Sequence, residues 1–189
     1  MGLFREVFCE ECGAKASMLT RKQVLTGEYI CSKCLKPYPA MIKDSLLFYT
    51  YEDYKDLKEY KNYSDTVLNR VFRETHSYKN LHLDQDNGLF YLDDEFPKMY
   101  LQVGNVNQIG LFFEPEKVKE GLLSANATGT VTLGLEMRRP IIQYKKIVDH
   151  SAKAEAQVNI LGTKVKCSNP KKMDAFIEAF NKSNTGLNL

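Results

Sequence analysis

Four of the five cysteines fall in the pattern C-x2-C-x18-C-x2-C: Cys9 and Cys12, then Cys31 and Cys34. A thiolate pair spaced in this way presents both sulfurs on one side of a tight knuckle. Two knuckles close a tetrahedral site that suits one structural zinc ion. Gly13 follows the first pair, where the turn favours a residue tolerant of positive φ. The competing chemistries are two disulfides, which need an oxidising compartment, and a redox-active pair, which needs a βαβ setting that is missing here. Iron in a rubredoxin-like arrangement is the competing metal. Four cysteines leave no position for a catalytic water, so the expected role is structural.

The remaining chemistry-bearing residues are scattered. Cys167 stands in an alternating run, where a small apolar strand residue is a better reading than a reactive thiol. His76, His82 and His150 are isolated, with no H-E-x-x-H, G-x-S-x-G or phosphate-binding glycine loop around them. Asp93-Asp94-Glu95 reads as a solvated turn. Asp84 to Glu95 superficially follows a calcium loop, but Gly88 falls at the fifth position rather than the sixth. No catalytic constellation emerges, and the chain is expected not to be an enzyme.

The elements that must position the cysteines follow from local signals. Short strands at Ser17 to Leu19 and Tyr29 to Ile30, joined by a turn at Thr26-Gly27, would bring the knuckles together. Lys36-Pro37-Tyr38-Pro39 leads into a short helix near Ala40. Thr50 to Asp53 has the form of a capping box for a helix with Tyr54, Leu57 and Tyr60 on one face, and Ser64-Asp65 resets a second helical run. From Tyr78 the period becomes two. Asn87-Gly88 marks a hairpin between Leu81 to Asp84 and Leu89 to Leu92. Further strands are expected at Met99 to Val103, Ile109 to Phe113, Thr130 to Met137, Ile141 to Val148 and Gln157 to Cys167. Turns are expected at Phe96-Pro97, Glu114-Pro115-Glu116, Arg139-Pro140 and Gly162. Asn169-Pro170 opens a closing helix with Met173, Phe176, Ile177 and Phe180 as its apolar stripe. The pattern predicts an α+β chain in three parts. These are a zinc ribbon over 1–46, a helical connector over 47–77, and over 78–189 a mostly antiparallel pleckstrin-homology-like β-barrel closed by the C-terminal helix.

With 189 residues, 43% hydrophobic and 26% charged, the chain has the composition of a packed globular protein. No apolar run is long enough to span a membrane, and the first residues form no secretory signal, so a cytoplasmic location is expected. The net charge is +2. Lys and Arg outnumber Asp and Glu by seven to five over residues 1–45 and are balanced over 46–80 and over 81–189. Four thiolates and one Zn²⁺ bring the first stretch to about neutral. No stretch of sequence carries the cationic excess that phosphate binding draws on.

The order of parts resembles uncharacterised bacterial proteins that open with M-G-L-F and C-x-x-C-G, form a short four-cysteine zinc ribbon, and continue through a helical connector into a pleckstrin-homology-like domain. The likeness is carried by Met1 to Phe4, Cys9 to Gly13, Tyr29 to Cys34 and the strand Leu81 to Asp84. It implies a fold and a metal without implying a reaction. The expected function is a non-catalytic zinc-binding module for protein interaction or assembly. One alternative is nucleic-acid binding through the ribbon cations Lys15, Arg21, Lys22, Lys33 and Lys36. Another is lipid-headgroup binding by the barrel, which the acidic loop Asp84-Gln85-Asp86-Asn87 opposes. A protein partner is expected, and nucleic acid or membrane is not.

Overall fold

The computed structural model describes residues 6–121, 124–159 and 162–183. The cysteine-bearing segment holds one small sheet, β1 (Lys22–Gln23) paired antiparallel with β2 (Tyr29–Ile30). The expected strand at Ser17 to Leu19 is a turn instead, in which the amides of Thr20 and Arg21 donate to the Ser17 carbonyl. The reason is the tightness of the turn at Gly27, whose φ is +104°. Val24 N–H bonds Glu28 O at 2.9 Å, so the residues that pair are those directly flanking that loop.

Helices α1 (Ser32–Leu35) and α2 (Ala40–Ser45) follow, the second starting straight after Pro39, and a single 3-10 turn spans Leu46–Phe48. Helix α3 (Tyr51–Tyr63) begins at a complete capping box: Asp53 N–H donates to Thr50 Oγ1 at 3.1 Å, and Thr50 N–H donates back to Asp53 Oδ2 at 2.8 Å. The reset expected at Ser64-Asp65 is a π-helical segment, Ser64–Leu68, running into the short α4 (Asn69–Val71). It accommodates a buried polar contact, since the Ser64 hydroxyl accepts a hydrogen bond from Tyr100 N–H at 2.8 Å.

Two four-stranded antiparallel sheets make up the rest. The first orders β3 (His76–Tyr78), β4 (Leu81–Asp84), β5 (Leu89–Leu92) and β6 (Leu101–Gln102) side by side. Its central hairpin turns through residues 85–88. The buried Asp84 carboxylate organises that turn, accepting from Arg73 N–H, Asn87 N–H and the Asn87 side-chain amide. The second is a long meander of β7 (Val106–Glu120), β8 (Ser124–Met137), β9 (Gln143–Asn159) and β10 (Gly162–Ser168). Helix α5 (Lys171–Asn181) buries Met173, Phe176, Ala179 and Phe180.

The expected barrel is not formed, because both sheets are open. Strand length gives the reason. Fifteen residues of β7 extend roughly 50 Å, whereas no strand of the first sheet exceeds four residues, so only the base of the long sheet is covered. The long strands also run past the expected ends: β7 begins before Ile109 and continues beyond Phe113, β8 begins before Thr130, and β9 begins at Gln143 and continues beyond Val148, while the strand expected over Met99 to Val103 shrinks to β6. Glu114-Pro115-Glu116 lies inside β7 as a bulge, tolerated because β7 is an edge strand on which proline need not donate. The strand expected over Gln157 to Cys167 is instead the end of β9 and the whole of β10, with Gly162 paired to Asn159.

One apolar cluster runs from Cys9 and Ile30 through Ile42, Tyr49 and Leu57 to Phe90, Leu133 and Phe176. Chain positions 46/47 and 77/78 therefore fall within a continuous core. Polar links cross it as well: Tyr49 Oη accepts from Ile142 N–H at 3.1 Å, and Tyr60 Oη accepts from Gln102 N–H at 3.0 Å.

The bulge in β7 depends on Gly129 opposite Pro115, where a Cβ would lie 1.9 Å from the Glu114 carbonyl oxygen. At Gly134 a Cβ would meet only side chains, Tyr144 Oη at 2.3 Å and Phe112 Cε2 at 2.4 Å. Rings can rotate away, whereas paired backbone cannot. Gly129→Ala is expected to lower the unfolding free energy by about 1 to 3 kcal/mol and Gly134→Ala by less. Urea denaturation of both variants measures the difference, and the reverse order would show that the bulge is not the tighter constraint.

Candidate metal centre

The first knuckle is closed by its own backbone. Cys9 N–H donates to Ala14 O at 2.8 Å and Gly13 N–H returns to Cys9 O at 2.8 Å, with Gly13 at φ +68°, the conformation expected of it. The second knuckle is the junction of β2 with α1. Cys31 precedes the helix, Cys34 lies within it, and Leu35 N–H caps back to Cys31 O at 3.1 Å. A single backbone bond, Glu10 N–H to Tyr29 O at 2.9 Å, joins one knuckle to the other.

The result is convergence of all four predicted ligands. Their sulfurs lie within 4.8 Å of one another, with Cys9 Sγ and Cys34 Sγ 3.9 Å apart and Cys12 Sγ and Cys31 Sγ 3.8 Å apart. A tetrahedron with metal–sulfur bonds of about 2.3 Å has edges of about 3.8 Å, so the donor set fits one metal ion. Cys31 N–H also points at Cys9 Sγ at 3.3 Å, a donor suited to a metal-bound thiolate. Cys9 and Cys31 are buried, Cys34 is half-buried and Cys12 is exposed. Burial pushes the Cys31 thiol up. Hydrogen bonds from the Cys34 amide and the neighbouring thiols outweigh it and leave Cys31 at about 7. Burial and the adjacent sulfurs push Cys34 upward.

Among the described residues these cysteines form the one group of three or more His, Cys, Asp or Glu side chains close enough to hold a metal. The acidic run at 93–95 is divided among cations and an amide. Asp94 and Glu95 hold Lys145 at 2.8 and 3.1 Å, and Glu95 also accepts from Met41 N–H. Cys167 is exposed on β10.

Sequence reasoning missed the setting of His82. Its Nδ1 lies 2.8 Å from Glu74 and its Nε2 2.7 Å from Asp93, and its ring stacks on Tyr91 at 4.6 Å. Both carboxylates come from loops beside β4, and only the acidic run at 93–95 hinted at one of them. The ribbon cations are partly engaged: Lys15 pairs with Glu6, Lys22 with Asp44 at 3.4 Å, and the Arg21 guanidinium lies 4.5 Å from the Tyr29 ring centre.

No protein-family model matches the chain, and neither a curated protein nor a solved structure matches it. Of the residues carrying the resemblance to zinc-ribbon proteins, Met1 to Phe4 lie outside the described residues. No described helix is long and apolar enough to cross a membrane.

Thiolates bind the metal and thiols do not, so protons compete with it. Affinity for one added metal equivalent is expected to fall about a hundredfold or more for each pH unit below 7, with Cys31→Ser abolishing the tight phase. Competition with a chromophoric chelator at several pH values reads both, and a pH-independent affinity would show that the sulfurs are not the ligands.

Proposed function

We propose that the protein is a non-catalytic, zinc-stabilised module that binds a protein partner. The observation that carries the metal part is the pair of 3.8 and 3.9 Å sulfur separations, which match the edge of a zinc–thiolate tetrahedron. With four sulfur donors the ion has no open position, so its chemistry is to hold the fold. The knuckles it clamps carry Glu11, which pairs with Lys58 of α3, and Leu25 N–H bonds Tyr49 O at 2.6 Å. The metal thereby steadies the ribbon against the connector.

Support for a protein partner comes from the apolar side chains left outside. Leu25, Leu47 and Phe48 are all more than half exposed, and the bond from Leu25 to Tyr49 sets Leu25 beside the turn that carries Leu47 and Phe48. Exposed large apolar side chains gathered in one region mark interaction surfaces.

Elemental analysis of protein purified without added metal is expected to give one equivalent of zinc. Iron would change the metal, and five freely titrating thiols with no metal would remove the centre. Leu25→Ser with Phe48→Ser is expected to keep the zinc and the melting transition while weakening capture of the partner from the native host at least tenfold; unchanged capture would remove this surface from the reading.

A further inference from the structure

The distal part of the long sheet gathers most of its charges on one face. Residues opposite one another in register share a face, and along each strand the faces alternate. One row sets Lys119 beside Asn126, Gln157 and Lys164, and the next sets Lys117 beside Thr128, Glu155 and Lys166. Lys153, opposite Thr130, extends the same face. The other face carries Val118, Ala125, Ala127, Ala154, Ala156 and Val158. Five lysines and two glutamates, Glu155 and Glu114, thus share a surface whose reverse side is apolar, and Glu116 stands in the β7 bulge beside Lys117 without a register partner. Glu120 belongs to that reverse side, and Glu114, in the row of Thr130 and Lys153, is paired with Lys146. All five lysines are exposed, and among the described residues none of them takes part in an ion pair.

We propose that this face binds double-stranded nucleic acid through its phosphates. The lysines form two rails, Lys117 and Lys119 on edge strand β7 and Lys164 and Lys166 on edge strand β10, separated by three interstrand spacings of roughly 14 Å in total. Beside the β10 rail lies a depression of about 350 Å³ lined by residues 126–128 of β8, 155–157 of β9, and Lys164 and Lys166. Cations on two rims with a polar floor complement a rod that carries phosphates along two rows. The neutral amides and hydroxyl of the floor suit phosphate and sugar oxygens. Glu155, on the central strand, faces the groove between the rows rather than a phosphate. A flat bilayer is a poorer fit, since this face is hollowed and offers no large apolar side chain for insertion. A single strand is also a poorer fit, because these rows supply no aromatic ring on which bases could stack.

The test uses the full, metal-loaded chain and a fluorescent mixed-sequence duplex, followed by anisotropy at about 50 and 200 mM salt. If all five lysines neutralise phosphates, affinity falls roughly 500-fold between those salts. Lys117→Gln with Lys119→Gln and Lys164→Gln with Lys166→Gln are each expected to weaken binding at low salt at least tenfold and to flatten the salt slope. Glu155→Gln is expected to tighten it severalfold, a gain that misfolding does not mimic. Three results overturn the proposal: no duplex binding at low salt; loss of binding on Lys22→Ala with Lys36→Ala but not on the sheet variants, which places the contact on the ribbon; or preference for vesicles containing anionic lipid over the duplex, which makes the occupant a membrane surface.

Discussion

Thiolates repel one another, yet the ribbon holds four sulfurs within 4.8 Å with only two strands of two residues each to brace them. A dication held there would remove that repulsion and convert it into attraction from each sulfur. Within the cluster, hydrogen bonds lower the Cys31 thiol against its burial, and burial with the adjacent sulfurs raises Cys34. Everything attached to the knuckles inherits this constraint. Cys9 and Cys31 open the apolar cluster that continues into the connector and both sheets, so the sulfur cluster is one end of the core rather than an appendage to it.

The connector transmits that order through buried polar groups as much as through apolar packing. Asp53 serves its own helix as a cap and also accepts a 2.7 Å bond from Arg139, which lies between β8 and β9. Burial pushes the Tyr49 hydroxyl up to about 12, so it remains a neutral partner for the Ile142 amide beside β9. Tyr60 and Ser64 do the same for the backbone beside and within β6. Buried donors and acceptors satisfied in this way fix one relative placement of helix and sheet, because any other leaves them unpaired at a cost of about 1 to 3 kcal/mol each.

The long sheet obeys a different constraint. Beyond the reach of the short sheet its strands have a solvent side that alternation fills with Lys, Asn, Thr and Gln, and a reverse side of small apolar residues. Edge strand β7 is blunted by Pro115 and a bulge, features that resist addition of a further strand. Charge balance along the chain conceals a local excess of lysine on one face of the sheet. The lysines of β7, β9 and β10 recur with the strand period, so pairing the strands gathers them on that face.

The sequence by itself determined the clustering of Cys9, Cys12, Cys31 and Cys34, the capping box at Thr50, the helical reset at Ser64, the turn at Gly27, the hairpin beside Gly88 and the positive φ of Gly13. Each rests on interactions within a few residues, or on a ligand spacing that admits one geometry. Tertiary structure alone decided the rest. Whether β6 and β10 would meet to close a barrel depended on strand lengths that local turn signals misjudged, since Pro115 reads as a turn until an edge strand with a bulge accommodates it. The partners of His82 come from positions eight and eleven residues away, joined only after β4 and β5 pair. The lysine face required knowing the register of four strands, because a shift of one residue in any of them would send its lysines to the opposite side.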